Sequence, residues 1–130
     1  MIRFTKVTKS YTRGQAALRD VNLFFGRGEF AFLTGPSGSG KSTLLKHVYM
    51  EERPTAGEVK VSGVSSRTAS RGEIARLRRK LGIVFQDFRL LEDRTVEQNV
   101  AFALEVTGAP TRSIPDKVAR VITRVGLASK

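Results

Sequence analysis

The chain contains no cysteine, which excludes disulfides and thiolate metal sites and fits a reducing cytoplasm. No apolar run approaches the ~20 residues that a membrane-spanning helix requires. The start, MIRFTKV, lacks the continuous apolar stretch of a secretory leader. No internal repeat or low-complexity segment is present. Histidine occurs once, at His47, and is expected to be a packing or surface residue without a metal or catalytic role. Acidic residues are few beside basic ones: 12 Asp and Glu against 23 Lys and Arg, a net charge of +11. Such an excess suggests an anionic partner when it is concentrated in one place. The one dense basic run, Arg71 to Lys80, reads as a solvated helix face, or as a surface for anionic lipid headgroups or an acidic partner. It carries no interleaved aromatics, so nucleic-acid binding is not expected.

What is present suits one soluble globular domain: 130 residues, 40% hydrophobic and 27% charged. IRFTKV reads as a short strand whose apolar phase shifts at Val7. ALRDVNLFF is a second strand, closed by a turn at Gly26, Arg27 and Gly28. EFAFLT, residues 29–34, is apolar on both faces, as a central parallel strand must be. A helix is expected from about Lys41 to Tyr49, then a strand at EVKVSG. Ser70 and Glu73 have capping-box spacing and open a helix over RGEIARLRRK. LGIVFQ, residues 81–86, is a second likeness of a buried strand. Thr95 and Gln98 form another capping box, opening a helix with Val96, Val100, Ala103 and Leu104 on one face and ending at Gly108 and Pro110. Val118, Val121, Ile122 and Val125 form the stripe of a last amphipathic helix, stopped by Gly126. Strands alternating with helices predict an α/β domain with a largely parallel central sheet.

The chemistry is concentrated in TGPSGSGKST, residues 34–43. Gly35 to Ser42 satisfies G-x-x-x-x-G-K-[ST] at every fixed position. Gly35, Gly38 and Gly40 allow main-chain N–H groups to approach phosphate oxygens. The helix that begins near Lys41 adds unsatisfied donors and the positive end of its dipole. Lys41 can reach the β- and γ-phosphates, and the Ser42 hydroxyl can ligate Mg²⁺. A chance match should occur in only about one chain in a few hundred of this length. The preceding strand and following helix are the context the motif requires. The P-loop assigns Gly35, Pro36, Ser37, Gly38, Ser39, Gly40, Lys41, Ser42 and Thr43 to a nucleotide site, with ATP and Mg²⁺ as cofactors.

Three further features choose among P-loop families: Tyr11 in SYTRG, the glutamine that ends LGIVFQ with its sequel DFRLL, and the order of elements. Together they resemble the nucleotide-binding domain of ABC ATPases, over essentially all 130 residues. The segment from Gly72 to Pro110 is most similar to the cell-division subfamily, FtsE type. Lipoprotein-releasing and macrolide-exporting ABC ATPases are close cousins.

The resemblance implies roles for matching positions. Tyr11 would stack on adenine; the alternative is a plain strand-end tyrosine. Gln86 would be the Q-loop glutamine, touching Mg²⁺ or the attacking water; the alternative is a buried strand-end amide satisfied by backbone. Phe88, Leu90 and Leu91 would lie near the surface that receives the membrane partner, or else form a local satellite of the core. The implied partners are an integral membrane permease of FtsX type and a second copy of the protein. The implied place is the cytoplasmic face of the bacterial plasma membrane, and the implied process is cell division.

The family's LSGGQ signature, its Walker B carboxylates and its switch histidine have no counterpart in these 130 residues. The expectation is therefore the N-terminal part of one ABC ATP-binding domain, residues 1–130, with no complete catalytic set and a gap in its sheet. ATP hydrolysis is expected of the parent protein and not of this chain alone. A contrasting reading makes the short chain a non-hydrolysing module that binds phosphate or an acidic surface.

Overall fold

The computed structural model describes residues 1–12 and 14–128. The chain forms two compact units, Met1–Leu81 and a second beginning at Gly82. In the first, β1 (Ile2–Thr12) and β2 (Gln15–Phe25) are followed by α1 (Lys41–Val48), β3 (Ala56–Val61), β4 (Val64–Ser65) and α2 (Arg71–Arg78). The strands make one antiparallel sheet in the order β2-β1-β3-β4.

The phase shift read at Val7 is a bulge. Pairing slips between Phe4 and Val7 against β2 and between Thr5 and Thr8 against β3. An extra residue in one strand turns the following side chain onto the same face, so Phe4 and Val7 are both buried. The Lys6 N–H donates to Asn22 Oδ1 at 2.8 Å. Gly57, with φ +85, passes under this point, and a Cβ there would collide with the Lys6 carbonyl.

The sheet and two helices enclose the first core: Phe4, Val7, Leu18, Leu44, Met50, Val59, Val61, Ala69 and Leu77. Each of these Phe, Val, Leu and Met side chains contributes about 1.5–3 kcal/mol when fully buried. The turn at Gly26–Gly28 is closed by Glu29 Oε2, which accepts from the Gly26 N–H at 2.7 Å. The capping box at α2 is complete: Ser70 Oγ accepts from the Glu73 N–H at 3.3 Å, and Glu73 Oε2 from the Ser70 N–H at 2.9 Å. Part of the basic run is used internally. Arg78 donates through Nε and Nη2 to the carbonyls of Tyr49 and Met50, both at 2.9 Å, just past the end of α1.

The second unit holds α3 (Val96–Val106), a 3₁₀ turn (Thr111–Ser113) and α4 (Ile114–Arg124). Thr95 and Gln98 make both bonds of the expected capping box. Ile114, Val118 and Ile122 are buried against Val100, Ala101, Leu104 and Ala109. Val121 and Val125 face outward, so the stripe on α4 is narrower than the sequence predicts and begins at Ile114 instead. Val96 and Ala103 are likewise exposed on α3.

One expectation needs correction. Among the described residues there is no parallel sheet, and neither residues 29–34 nor residues 81–86 form a strand. Phe30 is 83% exposed, Phe32 82% and Val84 97%. A two-sided buried strand needs ladder hydrogen bonds along both edges. β1 already gives its two edges to β2 and β3, and no described strand pairs with either apolar segment. Phe30 and Phe32 pack edge to face on one another, with centroids 4.9 Å apart.

Candidate functional site

The glycine loop leads directly into α1. Gly40 is the residue before the helix, in the left-handed region at φ +91. A Cβ there would lie 2.5 Å from the Ala17 carbonyl oxygen of β2, so the loop can press against the sheet only with glycine at this position. At Gly35, φ +148, a Cβ would lie 2.9 Å from Ser39 Oγ. No side chain caps α1, and no acidic residue occupies its first turn. Its leading N–H groups and positive dipole end are therefore left for a ligand.

Lys41 curls back over the loop. Its Nζ donates to the carbonyls of Gly35 and Pro36, both at 2.7 Å, and reaches Ser39 Oγ at 3.4 Å. The loop thus wraps a fixed cation. Ser42 is exposed on the first turn of α1, and Gly35 to Ser39 are exposed as well. Phosphate oxygens fit this arrangement: at Gly35 and Gly40 the backbone comes too close to its neighbours for a Cβ, the start of α1 has no side-chain cap, and Lys41 supplies a positive charge. Among the described residues, no group of three or more His, Asp or Glu side chains gathers to hold a metal. A cation here would rest on the Ser42 hydroxyl and on the phosphate it accompanies.

Tyr11, near the end of β1, joins this site. Its hydroxyl is 3.4 Å from Thr43 Oγ1 on α1, and it is 57% exposed. Two charged residues that sequence reading missed surround it. Lys9 Nζ sits 5.1 Å from the centre of the Tyr11 ring, donates to the Arg53 carbonyl at 3.0 Å and pairs with Glu52 Oε2 at 3.2 Å. Glu52 also pairs with Lys46 on α1 at 3.3 Å. Burial works to raise the Glu52 pKa, but the Tyr11 hydroxyl, Lys9 and Lys46 outweigh it and hold the carboxyl below its ordinary range. The available signal was the spacing of Lys9 and Tyr11, two residues apart on a strand and so able to share a face. Nothing in the sequence pointed to Glu52.

His47 is fully buried, with Nδ1 2.7 Å from the Thr43 carbonyl oxygen. It is a packing residue of α1, not a surface one. Gln86 belongs to the second unit and is exposed in a turn, which removes the reading of a buried strand-end amide. Around it, the Arg89 guanidinium lies 3.9 Å from the centre of the Phe85 ring and pairs with Asp87 at 3.5 Å. Phe88 and Leu90 are exposed, while Leu91 is half-buried and tied to α3 through Asn99. The first two therefore form no core satellite.

These features define a phosphate-binding loop of the P-loop NTPase class. A family model described as ABC transporter matches residues 18–130, and the chain belongs to that family. Among curated proteins, it is similar to the cell division ATP-binding protein FtsE of Mycobacterium tuberculosis, 47% identical over all of this chain and 57% of the relative. The FtsE proteins of Bacillus subtilis and Escherichia coli K12 are 44% and 46% identical, again over the whole chain, covering 57% and 59% of their lengths. The chain thus spans a little over half of these relatives. Among solved structures, it is similar to the dimeric ATP-binding cassette MJ0796 in a post-hydrolysis state bound to ADP and Pi. That match has a TM-score of 0.83 and 33% identity, over 95% of this chain and 56% of the other. A second is cbiO1 from Clostridium perfringens, with TM-score 0.79 and 29% identity, over 98% and 51%. The fold is that of an ABC nucleotide-binding domain, represented by about half the length of its relatives.

Proposed function

We propose that residues 1–130 are the N-terminal part of one ABC ATP-binding domain, in an ATP-binding subunit that serves bacterial cell division. The observation that carries the nucleotide site is the Lys41 ammonium held inside the glycine loop beside an uncapped helix start. Lys41 would exchange two neutral carbonyl acceptors for charged phosphate oxygens, which form shorter and stronger hydrogen bonds. Gly35 to Gly40 and the first turn of α1 would supply main-chain donors. The Ser42 hydroxyl would help hold Mg²⁺, whose role when bound is to neutralise phosphate charge. Tyr11 would carry the adenine.

Whole-chain identity to FtsE proteins of several species supports the cell-division assignment. On this reading the whole protein hydrolyses ATP as a homodimer at the cytoplasmic face of the membrane. It passes the resulting movement to an FtsX-type permease, and exposed Phe88 and Leu90 suit contact with that partner. The test is Lys41→Ala in the whole protein, followed by titration with ATP. Loss of charge-assisted hydrogen bonds should weaken binding about ten- to a hundredfold. Unaltered affinity would overturn the site.

A further inference from the structure

We propose that Lys9 and Glu52 are positioning residues, holding the Tyr11 ring as a preset platform for the adenine base. The inference rests on the nucleotide reading above and extends it to two residues outside the glycine motif.

Lys9 is not a free surface lysine. One ammonium group meets a ring, a carbonyl and a carboxylate: Tyr11 at 5.1 Å from its centre, Arg53 O at 3.0 Å and Glu52 Oε2 at 3.2 Å. The Lys9 and Glu52 side chains are mostly withdrawn from water. Glu52 reaches Lys46 as well, so the cluster ties the end of β1 to the helix that starts at the phosphate loop. The Tyr11 hydroxyl completes the tie through Thr43. The ring is therefore fixed by its face and its tip, yet more than half of it remains exposed.

Partly buried ion pairs contribute little net stability, because desolvation offsets their attraction. Their use here is to fix the ring before a ligand arrives. A flat base that stacks on a ring already held loses less freedom on binding than one that must order the ring itself. The cation on one face adds its attraction to the ring while a base occupies the remainder.

The test separates base from phosphate. In the whole protein, ATP and inorganic tripolyphosphate are titrated by calorimetry into the wild type, Lys9→Met, Lys9→Arg and Glu52→Gln. Lys9→Met should weaken ATP about two- to fivefold, the fold-change of an exposed cation–ring contact. Tripolyphosphate affinity should not move, and Lys9→Arg should restore ATP binding. Glu52→Gln should act in the same direction as Lys9→Met, and it tests the inference if that variant fails to fold. In a Tyr11→Ala background, Lys9→Met should have no further effect. Equal weakening of both ligands, no weakening of ATP, or an undiminished Lys9 effect without the ring would each overturn the inference. A wild type that fails to bind ATP through Lys41 would instead sink the nucleotide reading.

Discussion

β1 and β2 are paired along nearly their whole length, whereas the more apolar residues 29–34 pair with no described strand. The difference is one of reach. An antiparallel neighbour is one tight turn away, while parallel strands need partners brought from a distance. The hairpin and β3 therefore assemble within the first 81 residues around a continuous core, and Phe30, Phe32 and Val84 are left exposed. Apolar character on both faces tells what a segment is built to be buried in, without supplying the strands that bury it.

Paired substitutions in the 130-residue chain sharpen that contrast. Leu77 is among the largest fully buried side chains, so Leu77→Ala should cost about 2–5 kcal/mol by urea unfolding. Val84→Ser should change stability by no more than about 0.5 kcal/mol. A comparable loss at Val84 would mean that the apolar segment is packed after all, and would break the comparison.

A middle-sized effect is expected at the helix starts. Ser70 and Thr95 make the same pair of capping bonds in the two units, and alanine at either should cost about 1 kcal/mol. Hydrogen exchange at the adjoining amides should show each loss confined to its own helix.

The smallest effect is the response to acid. The Glu52 carboxyl is held below its ordinary pKa, so the folded state binds its proton later than the unfolded chain does. Its contribution is complete at neutral pH and disappears as pH falls through the lowered folded value. Urea midpoints of wild type and Glu52→Gln, measured from pH 6 to pH 3, should converge toward the acid end. A gap that stays constant would show that Glu52 acts through packing alone. Glu73, accepting from the Ser70 N–H and hydroxyl, and Glu58, bonded by the Ser65 hydroxyl, are shifted in the same direction.

Legibility followed the range of the interactions. Both capping boxes, the glycine ends of the helices and the start of α1 after the glycine loop involve groups within a few residues of one another, and the structure places each where its spacing predicts. The phase shift at Val7 was visible, but its cause lies in the register with two neighbouring strands. Edge identity, the burial of His47 and the half-width of the α4 stripe depend on what packs alongside, and local pattern does not carry that.

From residues alone came the phosphate-gripping motif, the helix that follows it and the family, because each glycine, the lysine and the hydroxyl acts through backbone a few bonds away. Only the tertiary structure decided that the sheet is antiparallel and that Glu52 stands beside Tyr11. These depend on contacts between segments some forty residues apart, whose meeting is set by packing and hydrogen-bond pairing across the whole first unit.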